Sequence, residues 1–335
     1  MIKALAALEP KSALVEFEFE RPELGKDDVE IEVSHCGLCH SDMSMINNEW
    51  GASAYPLVPG HEVVGKVVAI GANVNKHAIG DRVGLGWHAG YCDTCQYCDT
   101  GEHNLCAQSQ ATIIGRHGGF ASHVQASQNA VVALPEGLSS EDAGPLFCGG
   151  ITVYNPLVQY DIKPTDRVAV IGIGGLGHIA LQFLAAWGCE VTAFTSSESK
   201  AEEAKTLGAT HVLDSTNPDA LKAARGRFDM ILCTVNVSLN WAGYLSTLAP
   251  KGRLHFVGVV VDPVAISVNQ LIGNQLQISG SPVGSPAVID EMLQFAARHN
   301  IKPQVEVFKK HQANEAIEKL ESGKMRYRAV IEFSE

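Results

Sequence analysis

Arg167-Val168-Ala169-Val170-Ile171-Gly172-Ile173-Gly174-Gly175-Leu176-Gly177 is the stretch that decides how the second half of this chain folds. Its first five residues form a short apolar run, as a strand buried on both faces requires. The glycines that follow fit G-x-G-x-x-G, and Leu176 to Trp187 then carries helical periodicity. Strand, glycine turn and helix in that order are the context in which this motif binds a dinucleotide. Gly172, Gly174, Gly175, Leu176 and Gly177 are therefore candidate cofactor contacts. Without side chains, the glycines let the backbone turn and approach a pyrophosphate, which the free N–H groups and dipole of the helix N-terminus attract. A tight β–α turn with no ligand is the competing reading. Val168 to Trp187 also lacks Asp, Glu, Lys and Arg. Four glycines, His178 and Gln182 inside it favour strand, turn and helix over a membrane span.

Working outward, the alternation continues. Val191 to Phe194 reads as the next strand and Lys200 to Leu207 as the next helix. Further strands are expected at His211 to Leu213, Phe228 to Val235, Arg253 to Val259 and Leu276 to Ser279. Alternating strands and helices mean a parallel sheet covered on both faces, an α/β fold. The end of the second strand reads Thr195-Ser196-Ser197-Glu198-Ser199-Lys200. A carboxylate there would hold a ribose 2′-hydroxyl, whereas hydroxyls and a lysine suit a 2′-phosphate. Thr195, Ser196, Ser197 and Lys200 thus favour NADP(H). Glu198 could still reach a ribose, and a solvated helix start with a serine cap is the plain alternative.

Toward the N-terminus the rhythm is different. Val29 to Val33 alternates, Glu62 to Ile70 is β-branched, and Gly80 to Gly84 reads as turn and strand. Residues 29 to 145 are expected to form a small all-β barrel with long loops. A last helix, about Ala287 to His299, and a strand near Arg328 to Phe333 would return to it. The expected division is a catalytic domain over 1–150, completed by about 285–335, and a cofactor domain over 151–284.

The chain has 335 residues, 46% of them hydrophobic, which is enough for two cores. A formal charge of −12 makes it a poor non-specific ligand for nucleic acid or an anionic membrane. Met1 to Glu20 has no signal-peptide pattern, because its apolar run breaks at Glu9-Pro10. A cytoplasmic location is expected. Nine cysteines, an odd number, cannot all pair within one chain. Cys92, Cys95, Cys98 and Cys106 give C-x2-C-x2-C-x7-C, which suits a closed tetrahedral zinc site that orders its loop. An iron–sulfur cluster is the rival metal at this stage.

Three further groups carry little information singly: Cys39-His40-Ser41-Asp42, Gly60-His61-Glu62 and Cys148-Gly149-Gly150. Cys36-Gly37-Leu38-Cys39 could be a redox pair, but no thioredoxin-like βαβ pattern follows. Together with Tyr55-Pro56-x-Val58-Pro59-Gly60-His61-Glu62, the cysteine lobe, the glycine turn and Arg326-Tyr327-Arg328, they resemble the zinc-containing medium-chain alcohol dehydrogenases. Within them, the sequence is most similar to the cinnamyl alcohol dehydrogenase-like aldehyde reductases. The likeness covers nearly the whole chain, with the motifs in the family's order.

The resemblance implies a GroES-like β-barrel catalytic domain, a Rossmann domain with a doubly wound parallel sheet, and a cleft between them. It implies a catalytic zinc on Cys39, His61 and Cys148, with Glu62 as neighbour or alternate fourth ligand. Asp42 would fix the His61 tautomer. His40 would lie near the cofactor pyrophosphate and Thr152 near the nicotinamide. Ser41 would carry the substrate proton. With the lobe, this makes two Zn²⁺ per chain. Trp50 and Trp87 would line an apolar substrate pocket for aromatic or medium aliphatic aldehydes, or else pack in the core. Ser44 departs from the family, many of whose members have a histidine ending the proton relay there. Cys36, Cys189 and Cys233 match no ligand position and read as structural thiols. Leu276 to Ser281 could pair edge to edge in a homodimer.

The resulting expectation is a zinc-dependent alcohol dehydrogenase acting as an aldehyde reductase with NADP(H). The rivals are an NAD-preferring zinc dehydrogenase of another alcohol class, such as polyols or formaldehyde adducts, and a non-catalytic nucleotide-binding relative. A polyol site would need more polar groups than the two tryptophans offer. A pure binding module would need no open metal site.

Overall fold

The computed structural model describes residues 1–196 and 198–334, with the side chains of all of these but Glu198 and Ser199. The chain divides into two compact units. One joins Met1–Ile151 to Val283–Glu335, and the other is Thr152–Pro282.

The second unit is built on a six-stranded sheet. In spatial order its strands are His211–Asp214, Glu190–Thr195, Arg167–Ile171, Phe228–Cys233, Leu248–Phe256 and Gln277–Gly280. Every neighbouring pair is parallel. This is the doubly wound order, in which the chain direction across the sheet reverses beside Arg167–Ile171. Val168, Ala169, Val170 and Ile171 are all buried, which explains the unbroken apolar run. The helix Gly177–Trp187 packs Ile179, Leu181, Phe183 and Leu184 inward and stops at Gly188, whose φ of 103° is left-handed. Val168 to Trp187 is thus a strand, a turn and a helix. Among the described residues no helix is long and apolar enough to cross a membrane.

One strand begins earlier than the sequence pattern suggests. The residues expected to start at Arg253 join the sheet from Leu248, which pairs with Phe228. Pro250-Lys251-Gly252 reads as a break in sequence. The structure absorbs it as an irregularity, with Lys251 at φ 68° and a register shift between Phe228 and Met230.

His255 is wholly buried on that strand. Its ring nitrogens lie 2.9 Å and 3.0 Å from the hydroxyls of Ser279 and Ser281. Burial, with a smaller push from Arg253, lowers its pKa to about 4. The unfolded chain takes up this proton as pH falls through about 6.5, while the folded chain resists it until about 4. Stability is therefore expected to fall across that window, by up to about 3 kcal/mol from this residue. Unfolding midpoints at pH 7 and pH 4.5 check it: the wild type should lose more than His255→Gln, and equal losses would refute the assignment.

The first unit carries a seven-stranded sheet. Its main path runs Val305–Lys309, Arg328–Glu332, Asp28–Leu38, Val63–Ile70, Arg82–Leu85 and Val131–Ala133, with His123–Ser127 also paired to Asp28–Leu38. Val29, Ile31 and Val33 alternate into the core, as their spacing predicts. Register then brings chemistry to one end of three adjacent strands. Leu38 faces Ala329 and Cys36 faces Val63. Cys39, Arg328 and the pair His61-Glu62 therefore emerge side by side. Cys148 comes from the turn after the 3-10 helix Gly144–Phe147.

Gly84 is part of this arrangement. A Cβ there would lie 2.1 Å from the ring of Phe147, the residue before Cys148. Gly84→Ala is expected to cost about 1–3 kcal/mol by overpacking and to weaken metal binding by displacing Cys148. Urea unfolding and zinc content of the purified variant check both effects.

Candidate functional site

Cys39, His61, Glu62 and Cys148 are all buried, and each offers a ligand atom within 4.8 Å of the others. The sulfurs of Cys39 and Cys148 are 3.9 Å apart. Asp42, fully buried, organises the group. One carboxylate oxygen accepts from the Cys39 backbone N–H at 2.9 Å. The other accepts from the Gly60 N–H at 2.8 Å and lies 2.9 Å from His61 Nδ1. With its proton on Nδ1 for Asp42, the neutral imidazole turns a bare Nε2 to the cluster. That Nε2 is shut off from solvent and has no hydrogen-bond partner. A buried nitrogen without a partner is costly unless something else binds it. Two thiols and a carboxyl beside it are the donor set that zinc takes.

Charge supports the same view. A hydrogen bond from Cys148, with help from Arg328 and His61 against burial, holds Cys39 well below the usual thiol range. The same contact and burial push Cys148 up. Burial opposes a charged His61, but Asp42, with help from Cys39, outweighs it and raises its pKa, so a metal would take the Nε2 position in place of a proton. Burial raises Glu62 to about 7 despite Arg328 beside it. Arg328 donates to Glu62 Oε1, and another of its nitrogens lies 4.0 Å from Cys39 Sγ. Glu62 Oε2 has no hydrogen-bond partner.

Arg328 is the site residue that sequence reasoning missed. It served there only as part of a terminal motif. An arginine flanked by the apolar run Ala329 to Ile331 needs a buried counter-ion, and that was the available signal.

The remaining expected residues fall as follows. Ser41 Oγ is 3.9 Å from Cys39 Sγ. His40 is exposed at the first position of the helix His40–Ile46. The Trp87 ring stands edge-on to His61 at 5.0 Å, and Trp50, 42% exposed, stacks edge-on against Trp87 at 5.9 Å. Ser44 is buried and donates to Glu49 at 2.7 Å. The glycine turn, Thr152, Thr195, Ser196 and Lys200 belong to the second unit. Thr152 is buried, Thr195 ends its strand, and Ser196 is exposed. Ser197 lies outside the described residues.

The turn has the shape of a phosphate cradle. Gly172 has φ 88°, and Thr234 Oγ1 donates to its carbonyl at 2.8 Å. A Cβ on Gly177 would meet the Gly172 carbonyl at 1.8 Å, so glycine is required for turn and helix to close. A Cβ on Gly174 would meet nothing within 4 Å, which leaves that face open to a ligand.

In the lobe the four sulfurs of Cys92, Cys95, Cys98 and Cys106 also lie within 4.8 Å of one another. The closest pairs are 3.5, 3.6 and 3.9 Å apart. These separations match the edge, about 3.8 Å, of a tetrahedron with Zn–S bonds of about 2.3 Å. They leave room for one ion and not for a cluster of several irons. They are too long for disulfides, and all nine cysteines are free.

Fold and donor sets together define a zinc-dependent dehydrogenase. The chain matches the alcohol dehydrogenase GroES-like domain over residues 25–136 and the zinc-binding dehydrogenase domain over residues 175–298. It belongs to the zinc-containing medium-chain alcohol dehydrogenase family. It is 60% identical over 334 residues to aldehyde reductase AdhA of Synechocystis sp., covering 100% of this chain and 99% of that protein. A cinnamyl alcohol dehydrogenase structure from Sorghum bicolor superposes with a TM-score of 0.94 at 38% identity, covering 99% of this chain and 97% of the other. A Helicobacter pylori cinnamyl alcohol dehydrogenase, solved in complex with NADP(H), does so at 0.90 and 30%, with coverages of 99% and 97%.

Proposed function

We propose that this zinc alcohol dehydrogenase works as an NADPH-dependent reductase of aromatic and medium aliphatic aldehydes. The observation that carries the reading is the bare, buried Nε2 of His61 facing two thiols and a carboxyl. The Synechocystis aldehyde reductase and the NADP(H) complex of the Helicobacter enzyme support the substrate class and the cofactor. Cys39, His61 and Cys148 would hold the catalytic zinc, with Glu62 as an exchangeable fourth donor, and the lobe cysteines would hold the structural one.

When bound, zinc supplies a Lewis acid for the substrate oxygen and the nicotinamide supplies the hydride. The residues of the chain do the rest. Asp42 keeps His61 in the tautomer that binds metal, and through the Cys39 and Gly60 amides it sets the spacing of two ligands. Arg328 holds Glu62 by one oxygen and leaves the other for the metal side. Ser41 Oγ, beside Cys39, would relay a proton, passing one to the product oxygen in reduction as it takes one from solvent, and the reverse in oxidation. Trp87 against His61, and Trp50 against Trp87, form the apolar wall that excludes water and accepts an aryl or alkyl group.

Gly172 to Gly177 would hold the pyrophosphate, with Thr152 lying by the nicotinamide. Thr195, Ser196, Ser197 and Lys200 would hold the 2′-phosphate, where charge-assisted hydrogen bonds replace the carboxylate of NAD-specific sites. Lys200→Glu is expected to move the ratio of kcat/KM for NADPH over NADH at least about tenfold toward NADH. An unchanged ratio would overturn that role. The edge strand Gln277–Gly280 would pair with its copy in a cytoplasmic homodimer.

The reading is tested by assaying cinnamaldehyde and benzaldehyde with NADPH and with NADH on one preparation of known zinc content. Turnover with NADPH preferred supports it. NADH preference would overturn the cofactor assignment. No turnover with both sites metal-filled would overturn the substrate class.

A further inference from the structure

Beside the four-cysteine lobe stands a second set of donors. Asp93, Cys98 and His103 each place a ligand atom within 4.8 Å of the others. Cys98 belongs to both sets. His103 begins the 3-10 helix His103–Leu105, which follows the turn after the helix Gln96–Asp99. Tyr91 packs edge-on against the His103 ring at 5.1 Å and fixes its plane. His103 Nδ1 is shut off from solvent and has no hydrogen-bond partner. Asp93 sits at φ 55°, a left-handed conformation that aspartate tolerates better than most residues. Asn129 Nδ2 donates to its carboxylate at 2.9 Å.

We infer that the lobe binds a second divalent ion of the zinc class, held by His103, Asp93 and a bridging Cys98 thiolate. The inference rests on the reading of the lobe as a zinc site. Electrostatics favours it: one Zn²⁺ on four thiolates leaves the lobe with two negative charges, and Asp93 adds a third. Donor chemistry favours it too. Imidazole, thiolate and carboxylate are all zinc ligands, and the His103 ring offers one nitrogen to the set while its Nδ1 has no hydrogen-bond partner. Three protein donors, one of them shared and one exposed, make this site weaker than the closed four-cysteine site. It fills only when metal is in excess.

The test uses the intact protein purified with its resident metal and titrated with Zn²⁺ alone, followed by calorimetry and elemental analysis. The expected result is two tightly held ions and one further equivalent. His103→Ala should weaken that further equivalent at least about tenfold while keeping both tight ions. Asp93→Asn should act in the same direction. His311→Ala, an exposed histidine elsewhere, should change nothing. A wild type that takes up no further equivalent, or one that survives His103→Ala, would overturn the inference. With Co²⁺ in the lobe, the thiolate-to-cobalt absorption should shift as the further Zn²⁺ binds. An unmoved band would place that ion away from Cys98. One tight ion, with four lobe thiols open to alkylation, would overturn the lobe reading itself.

Discussion

Cys39→Ser is expected to remove one of the two tightly bound zinc ions and to lower kcat/KM by at least about 10³. The factor follows from the several kcal/mol of charge stabilisation that a catalytic metal contributes, at 1.36 kcal/mol per tenfold. The fold should survive. Glu62 keeps Arg328 as its counter-ion, and the lobe is untouched. Metal analysis, circular dichroism and aldehyde turnover on one sample check all three statements. Asp42→Asn should fall between this variant and the wild type. It keeps the volume but alters the partner of His61 Nδ1, a change that typically costs about 10–100-fold in metal affinity. If Cys39→Ser kept both ions, or kept full activity, Cys39 would not be a ligand.

The second large effect belongs to the lobe. Between Tyr91 and Ser109 the only buried residues are Cys98 and Cys106. Such a segment has no apolar core to hold its turns, and four thiolates without a cation repel one another. Metal binding must supply its order, and in small zinc domains that binding amounts to about 10–16 kcal/mol. Cys95→Ser is expected to release the lobe ion and to speed proteolysis within 91–109 at least ~10-fold, the factor given by ~1.4 kcal/mol of lost local stability. Cys39, His61 and Cys148 should keep their zinc, so the two metal losses are separable. Unchanged proteolysis with the lobe ion gone would show that packing, not metal, orders the segment.

How legible these features were depends on whether their signal is local. Val168 to Ile171, the glycine turn and the helix after it declare themselves by period and by glycine, because a strand buried on both faces is apolar throughout. The lobe declares itself by spacing. Leu248 to Phe256 was only partly readable, since Pro250-Lys251-Gly252 resembles a break and its irregularity shows only when Phe228 is placed opposite. The active site is harder still. Cys39 and His61 meet through strand register, and Cys148 joins them from the turn after a 3-10 helix; contacts between such distant segments leave no mark in any one of them. They were brought together by resemblance. The Glu62–Arg328 pair spans most of the chain and needed the structure. So did the partner of Ser44: in place of a histidine, a buried hydroxyl donates to Glu49.

The central claim is that Cys39, His61 and Cys148 hold the catalytic zinc. Anomalous scattering at the zinc edge, from crystals grown with no added metal, tests it most directly. The account predicts two peaks per chain, one among those three residues with His61 Nε2 as a ligand and one among the four lobe sulfurs. A fully active preparation whose crystals show no peak between Cys39 and His61 would contradict it.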